Sequence, residues 1–197
     1  SYSIYLCSGI LAWGLFSEIC TRITNTFVDN ANLLKKINFP RICLPIIAVF
    51  NSALNFLIIF SIFTAFLLIT GNFSGLQFIA IIPLLVILIF FAAGIGISLG
   101  VLNVFFRDVA QFLSIFLQFW FWLTPIVYVK SILPDWAQFW IVFNPLEPLI
   151  SAFQQVIALQ VWPNWSALIY PLSMALVVCI VAGVLFYRHA GDMMDEL

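Results

Sequence analysis

Ile42 to Phe106 reads ICLPIIAVFNSALNFLIIFSIFTAFLLITGNFSGLQFIAIIPLLVILIFFAAGIGISLGVLNVFF, 65 residues without one charged side chain. A helix crossing the hydrocarbon core of a bilayer needs about 20 apolar residues. The run is therefore long enough for two crossings and a turn. Gly71-Asn72-Phe73-Ser74-Gly75 supplies the turn, because paired glycines with Asn and Ser punctuate helices. This predicts one span over about 44–70 and another over about 76–102.

Working outward, the next charge-free run is Val109–Val129, a third span. Pro148–Tyr187 is also free of charge but is interrupted by Trp162-Pro163-Asn164-Trp165, leaving a span over about 166–187. Upstream, about 4–26 reads as a span despite Glu18 and Arg22. The whole chain agrees: 64% of residues are hydrophobic and only 8% charged, against about 25% charged in soluble domains. The expectation is an all-α integral membrane protein, one domain over 1–197, with five spans.

The segment from about Ser131 to Gln160 crosses nothing, since it carries Pro134, Asp135, Asn144, Pro145, Glu147 and Pro148. Two short helices over about 134–160, parted at Asn144-Pro145, fit it best. Basic residues concentrate on the cytoplasmic side of membrane proteins. With alternating spans Lys35, Lys36, Arg41, Arg107 and Arg188 all fall on one side. The C-terminal tail is thus expected inside and the 131–160 segment outside. Trp136, Trp140, Trp162 and Trp165 then form an outer interfacial belt. Residue 1 is Ser and no signal-like start precedes it, so an upstream part, including a further span, is expected.

Several chemistries are disfavoured. Seven Lys/Arg residues spread along the chain make no nucleic-acid surface. Four dispersed cysteines and the single His189 lack metal-ligand spacing. There is no GxxxxGK[ST] motif for ATP. Ala92, Gly96 and Gly100 recur every four residues, which suits close helix packing rather than phosphate binding. Glu18 and Arg22 are placed to pair on one helix face. They either lower the cost of insertion or line a polar path. With no second intramembrane acid, an ion-coupled carrier is disfavoured. Phe112, Phe116, Phe119 and Trp122 fall on one helical face, for lipid, packing or stacking on sugars. Arg107 is expected to anchor a helix end, and Asp108 to cap the next helix.

Trp13-Gly-Leu-Phe16-Ser-Glu18 followed by Asn30-Ala-Asn-Leu-Leu-Lys-Lys-Ile-Asn-Phe-Pro-Arg41 closely resembles the permease family of ABC-type polysaccharide exporters. Three further blocks agree in order: Asn103-Val-Phe-Phe-Arg107-Asp108, Trp122-Leu-Thr-Pro125-Ile-Val-Tyr128, and Asn144-Pro145-Leu-Glu-Pro148. The resemblance implies six spans per subunit and a non-catalytic transport subunit without a cofactor of its own. It implies partners as well: a second copy of the chain, two ATP-binding-cassette subunits carrying ATP and Mg, and a lipid-linked polysaccharide such as O-antigen. The location implied is the bacterial cytoplasmic membrane.

By the same resemblance, about 30–39 is a cytoplasmic coupling helix, so Leu33, Leu34, Lys35, Lys36, Phe39, Pro40 and Arg41 would contact the ATPase. Arg107 and Asp108 form a second cytoplasmic loop. Trp13, Phe16, Glu18, Arg22, Phe112, Phe116, Phe119, Trp122 and Tyr128 are candidate channel-lining residues. Pro134, Trp136, Asn144, Pro145 and Pro148 would stand at the outer mouth. The alternatives are a related ABC permease exporting a drug or lipid and, from another class, an ion-coupled secondary transporter.

Overall fold

A computed structural model describes residues 2–32, 40–128 and 134–193, except the side chains of residues 135 and 137. The described residues are helical with no strand. In chain order the helices are α1 (Tyr2–Asp29), α2 (Cys43–Ile69), α3 (Ile81–Phe105), α4 (Val109–Leu123), α5 (Asp135–Ile141), α6 (Leu146–Gln154) and α7 (Ile169–His189). A 3-10 stretch, Gly75–Ala80, leads into α3, and a π-helical turn, Gln155–Leu159, extends α6.

Four helices are long and apolar enough to cross a membrane: Tyr2–Asp29, Cys43–Ile69, the run Gly75–Phe105, and Ile169–His189. The turn between the second and third is built where glycine is needed. Gly71 and Gly75 take positive φ, 70° and 61°, a backbone region that costs other L-residues energy. The fifth expected span, over about 109–129, is not among these four by helix length. Val109–Leu123 has 15 residues, about 22 Å of helix against a hydrocarbon core of about 30 Å. Pro125 stops it, since its ring pushes Thr124 into an extended conformation (φ −97°, ψ 131°).

Helix α3 is the centre, packed most extensively on α1 and α7. Its small residues set that contact. A Cβ on Gly96 would lie 2.9 Å from Ile23 Cβ, and one on Gly100 3.0 Å from the Ile23 carbonyl oxygen. On the other side a Cβ on Gly94 would lie 3.0 Å from the Cys179 backbone nitrogen. Within a bilayer, apolar surface alone does not drive helices together, so close backbone approach and dispersion contacts do. Phe16, Ile19, Ile23, Leu84, Leu88 and Phe91 fill the resulting core. The outward faces of α2 and α7 expose Ile46, Phe50, Leu57, Ile58, Leu172, Leu176 and Ile180, a surface suited to lipid tails.

The bundle has two distinct ends. At one, Asn103 bonds Thr24, Phe27 meets Phe186, and Phe105 meets His189. Arg107 and Arg188 belong to this end. At the other, Tyr2 Oη donates to the Val127 carbonyl at 2.6 Å, Ser74 Oγ to that of Ile157 at 3.5 Å, and Tyr170 Oη to that of Phe143 at 2.9 Å. Helices α5 and α6, parted by Asn144-Pro145, lie at this second end.

Candidate translocation surface

Helix α1 is apolar where it meets α3 and polar along another side. Gly14, Thr21 and Arg22 are exposed on that side, and Ser17, Glu18 and Asn25 are half-buried. Ser17 and Asn25 satisfy themselves on backbone carbonyls of the preceding turn. Glu18 Oε1 receives Arg22 Nε at 2.8 Å and Asn55 Nδ2 of α2 at 2.9 Å. The side chains of Arg22 and Glu18 remain 44% and 31% exposed. Charges at this position on a spanning helix are costly against lipid, and ordinarily face a protein interior or a water-filled path. Toward the Asp29 end the same side opens into a cleft of about 370 Å³, lined by Arg22, Thr26, Asp29, Asn30 and Asn51 among others.

The sequence-predicted aromatic residues separate into two groups. Phe112, Phe116, Phe119 and Trp122 are exposed along α4, with Phe112 and Phe116 stacked at 6.1 Å. Trp13 and Phe16 are a correction: they are 8% and 0% exposed and line no surface of this chain. Both pack on Trp120, at 6.3 and 5.4 Å between ring centres, with Phe91 closing the cluster. Large rings with no polar partner to reach are best placed in such edge-to-face contacts.

Trp120 was not singled out from the sequence, yet it joins the core to the second end. Its indole N–H donates to Asn144 Oδ1 at 3.0 Å; Asn144 Oδ1 also accepts from Leu146 N, and Asn144 Nδ2 donates to Thr124 Oγ1. Beside this network lies a pocket of about 620 Å³ whose lining includes Trp120, Trp122, Tyr128, Trp136, Trp140 and Asn144. Tyr128 Oη donates to the Trp122 carbonyl at 2.9 Å. Pro134 is exposed, Pro148 half-buried and Pro145 buried.

At the first end the capping expectation is corrected. Asp108 makes no side-chain capping bond to α4, and both Arg107 and Asp108 are exposed. Asn103, two residues before the end of α3, does the capping instead, accepting from Ala110 N at 3.1 Å. Of the expected coupling segment, Leu33, Leu34, Lys35, Lys36 and Phe39 lie outside the described residues. Pro40 and Arg41 open the turn into α2, with Cys43 N donating to the Pro40 carbonyl. Among the described residues no three His, Cys, Asp or Glu come together as a metal site.

A family model described as ABC-2 type transporter matches residues 2–158. The chain belongs to the ABC-2 type transporter family. Two curated relatives from Klebsiella pneumoniae, both named O-antigen export system permease protein RfbA, are 32% and 31% identical over 157 residues, 79% of this chain. The chain spans 61% of the length of each. A protein of the same name from Myxococcus xanthus is 23% identical over the whole chain and 76% of its own length. The ABC-2 match covers α1 to α6, hence the polar side of α1, the exposed rings of α4 and the Asn144 network together.

Proposed function

We propose that this chain is the membrane subunit of an ATP-driven exporter that passes a lipid-linked polysaccharide such as O-antigen across the bacterial cytoplasmic membrane. The observation that carries the reading is the polar side of α1, with the Glu18–Arg22–Asn55 cluster at its edge, on a helix of spanning length. A hydrated polymer needs such a surface, and lipid does not tolerate it. The names of the curated relatives supply the substrate class. A second copy closes the path, since one subunit is too small to surround a polymer. The exposed rings of α4 and the aromatic pocket near Asn144 suit stacking on sugar rings at the wall and outer mouth.

ATP hydrolysis takes place on two partner ATP-binding-cassette subunits, which dock on the 33–41 segment. Its apolar Leu33, Leu34 and Phe39 supply the buried anchors and its basic residues steer association. In this reading α4 with the Thr124–Tyr128 turn makes a fifth crossing, supported by the bonds that tie Ala110 to Asn103 at one end and Val127 to Tyr2 at the other. The end holding Arg107 and Arg188 is then cytoplasmic. The test is polymer display at the surface of cells that make the polymer. Display should need both this chain and a hydrolysis-competent ATPase, and removing either should trap polymer inside. Undiminished display without this chain would end the proposal.

A further inference from the structure

Helix α4 buries Leu113 and Leu117 and lays Trp120 and Phe121 against the core, and polar ties fix its two ends. Both of its ends are held by asparagines from other parts of the chain. At the far end the tie is Asn144, on Trp120 and Thr124. At the near end it is Asn103 of α3, 3% exposed. Its Nδ2 donates to the Thr24 carbonyl of α1 at 3.1 Å, and its Oδ1 accepts from Ala110 N in the first turn of α4 at 3.1 Å. One buried amide therefore joins three helices. Thr24 also carries a buried hydroxyl with no hydrogen-bond partner. Thr24 therefore carries a second acceptor that no hydrogen bond uses.

We propose that Asn103 is a positioning residue that passes displacement of the Asp29 end of α1 to α4. The proposal rests on the exporter reading, in which force enters through the segment that follows α1. A shift of α1 relative to α3 would pull on the Thr24 carbonyl. The amide can follow α1 and carry the first turn of α4 with it, or let the Thr24 carbonyl go. A packed polar contact that is either held or broken supplies the two arrangements that coupling between distant parts of a protein requires. Helix α4, stiff along its axis, would deliver the movement to Asn144 and the start of α6.

A cap alone would need only the acceptor, and this separates the two roles. Asn103→Asp keeps the oxygen that receives Ala110 N–H and loses the amide donor to Thr24; Asn103→Leu loses both. Each variant is expressed with its ATPase in cells that make the polymer. Surface polymer per molecule of complex is measured there, and ATP hydrolysis on the purified complex. Both variants should hydrolyse ATP within about twofold of the unmodified complex while export falls about tenfold, the scale of a lost coupling contact. Normal export by Asn103→Asp would make Asn103 a cap only and overturn the proposal. So would a fall in protein amount that accounts for the loss of export in both variants. If the unmodified complex shows no ATP-dependent export, the exporter reading fails with it; normal export by the unmodified protein and by Asn103→Asp together removes the tie alone.

Discussion

The Trp120 indole donates to the Asn144 side chain at 3.0 Å, 24 residues along the chain, and this bond fastens α4 to the short helices at the second end. Asn144 makes two more bonds, to Thr124 Oγ1 and from Leu146 N. Asn144→Ala takes the acceptor from the Trp120 and Leu146 N–H groups at a half-buried site and leaves Thr124 Oγ1 only its bond to the Trp120 carbonyl, a loss of about 1–3 kcal/mol. Thermal unfolding of the purified protein followed by tryptophan fluorescence should show a lower midpoint. Asn144→Asp keeps the oxygens and should lie between. An unchanged midpoint in Asn144→Ala would mean the network is ornamental to stability.

Gly96 and Gly14 make a matched pair on spanning helices. A Cβ at Gly96 meets Ile23 Cβ at 2.9 Å, whereas nothing lies within 4 Å of one at Gly14. Gly96→Ala should destabilise by about 1–3 kcal/mol through overpacking, and Ile23→Ala in the same chain should recover part of it. Gly14→Ala should leave the unfolding midpoint unchanged or raised. A Gly96→Ala midpoint equal to the unmodified one would contradict the close α1–α3 approach.

Glu18 and Arg22 are coupled through the 2.8 Å bond, so removing one leaves the other uncompensated on a spanning helix. Glu18→Gln and Arg22→Gln should each reduce the amount of inserted protein, and the double variant should recover it. Export should stay low in the double variant if the pair belongs to the polymer path. Recovery of both amount and export would restrict the pair to assisting insertion.

Orientation is checked by thiol labelling in intact cells, on a chain whose own cysteines have been replaced. Asn72→Cys, in the turn before α3, should react with an impermeant reagent from outside, and Lys36→Cys should not. The reverse pattern would invert the proposed topology.

The positions of α2 and α3 were legible because charge silence and the Gly71–Gly75 punctuation are strong local signals. The small-residue spacing in α3 likewise pointed to packing. At α4 charge silence did not show where the helix stops: Val109–Val129 is free of charge, but Pro125 ends the helix at Leu123. Which aromatic residues face inward was not readable. Trp122 sits on α4, whose charge-free sequence offers no polar face to betray the orientation, while Trp13 and Phe16 adjoin Gly14 and Ser17 of the polar side of α1 in sequence although their rings turn inward. The cap on α4 was missed for another reason. Capping rules look at the residue adjoining the helix, Asp108, while the bond comes from Asn103, a buried side chain on the preceding helix. Asn55 escaped notice because its partner Glu18 is 37 residues away.

Photocrosslinking in exporting cells reads whether the polar side of α1 lies on the path of the polymer. A photoreactive amino acid replaces Thr21 on that side or Ile58 on the lipid-suited face of α2, both exposed. Irradiation should join polysaccharide to the chain at position 21, visible as a ladder reacting with antibody to the polymer, and should join none at position 58. Absence of the ladder at position 21 in cells that display polymer normally, or ladders of equal strength at both positions, would contradict the account.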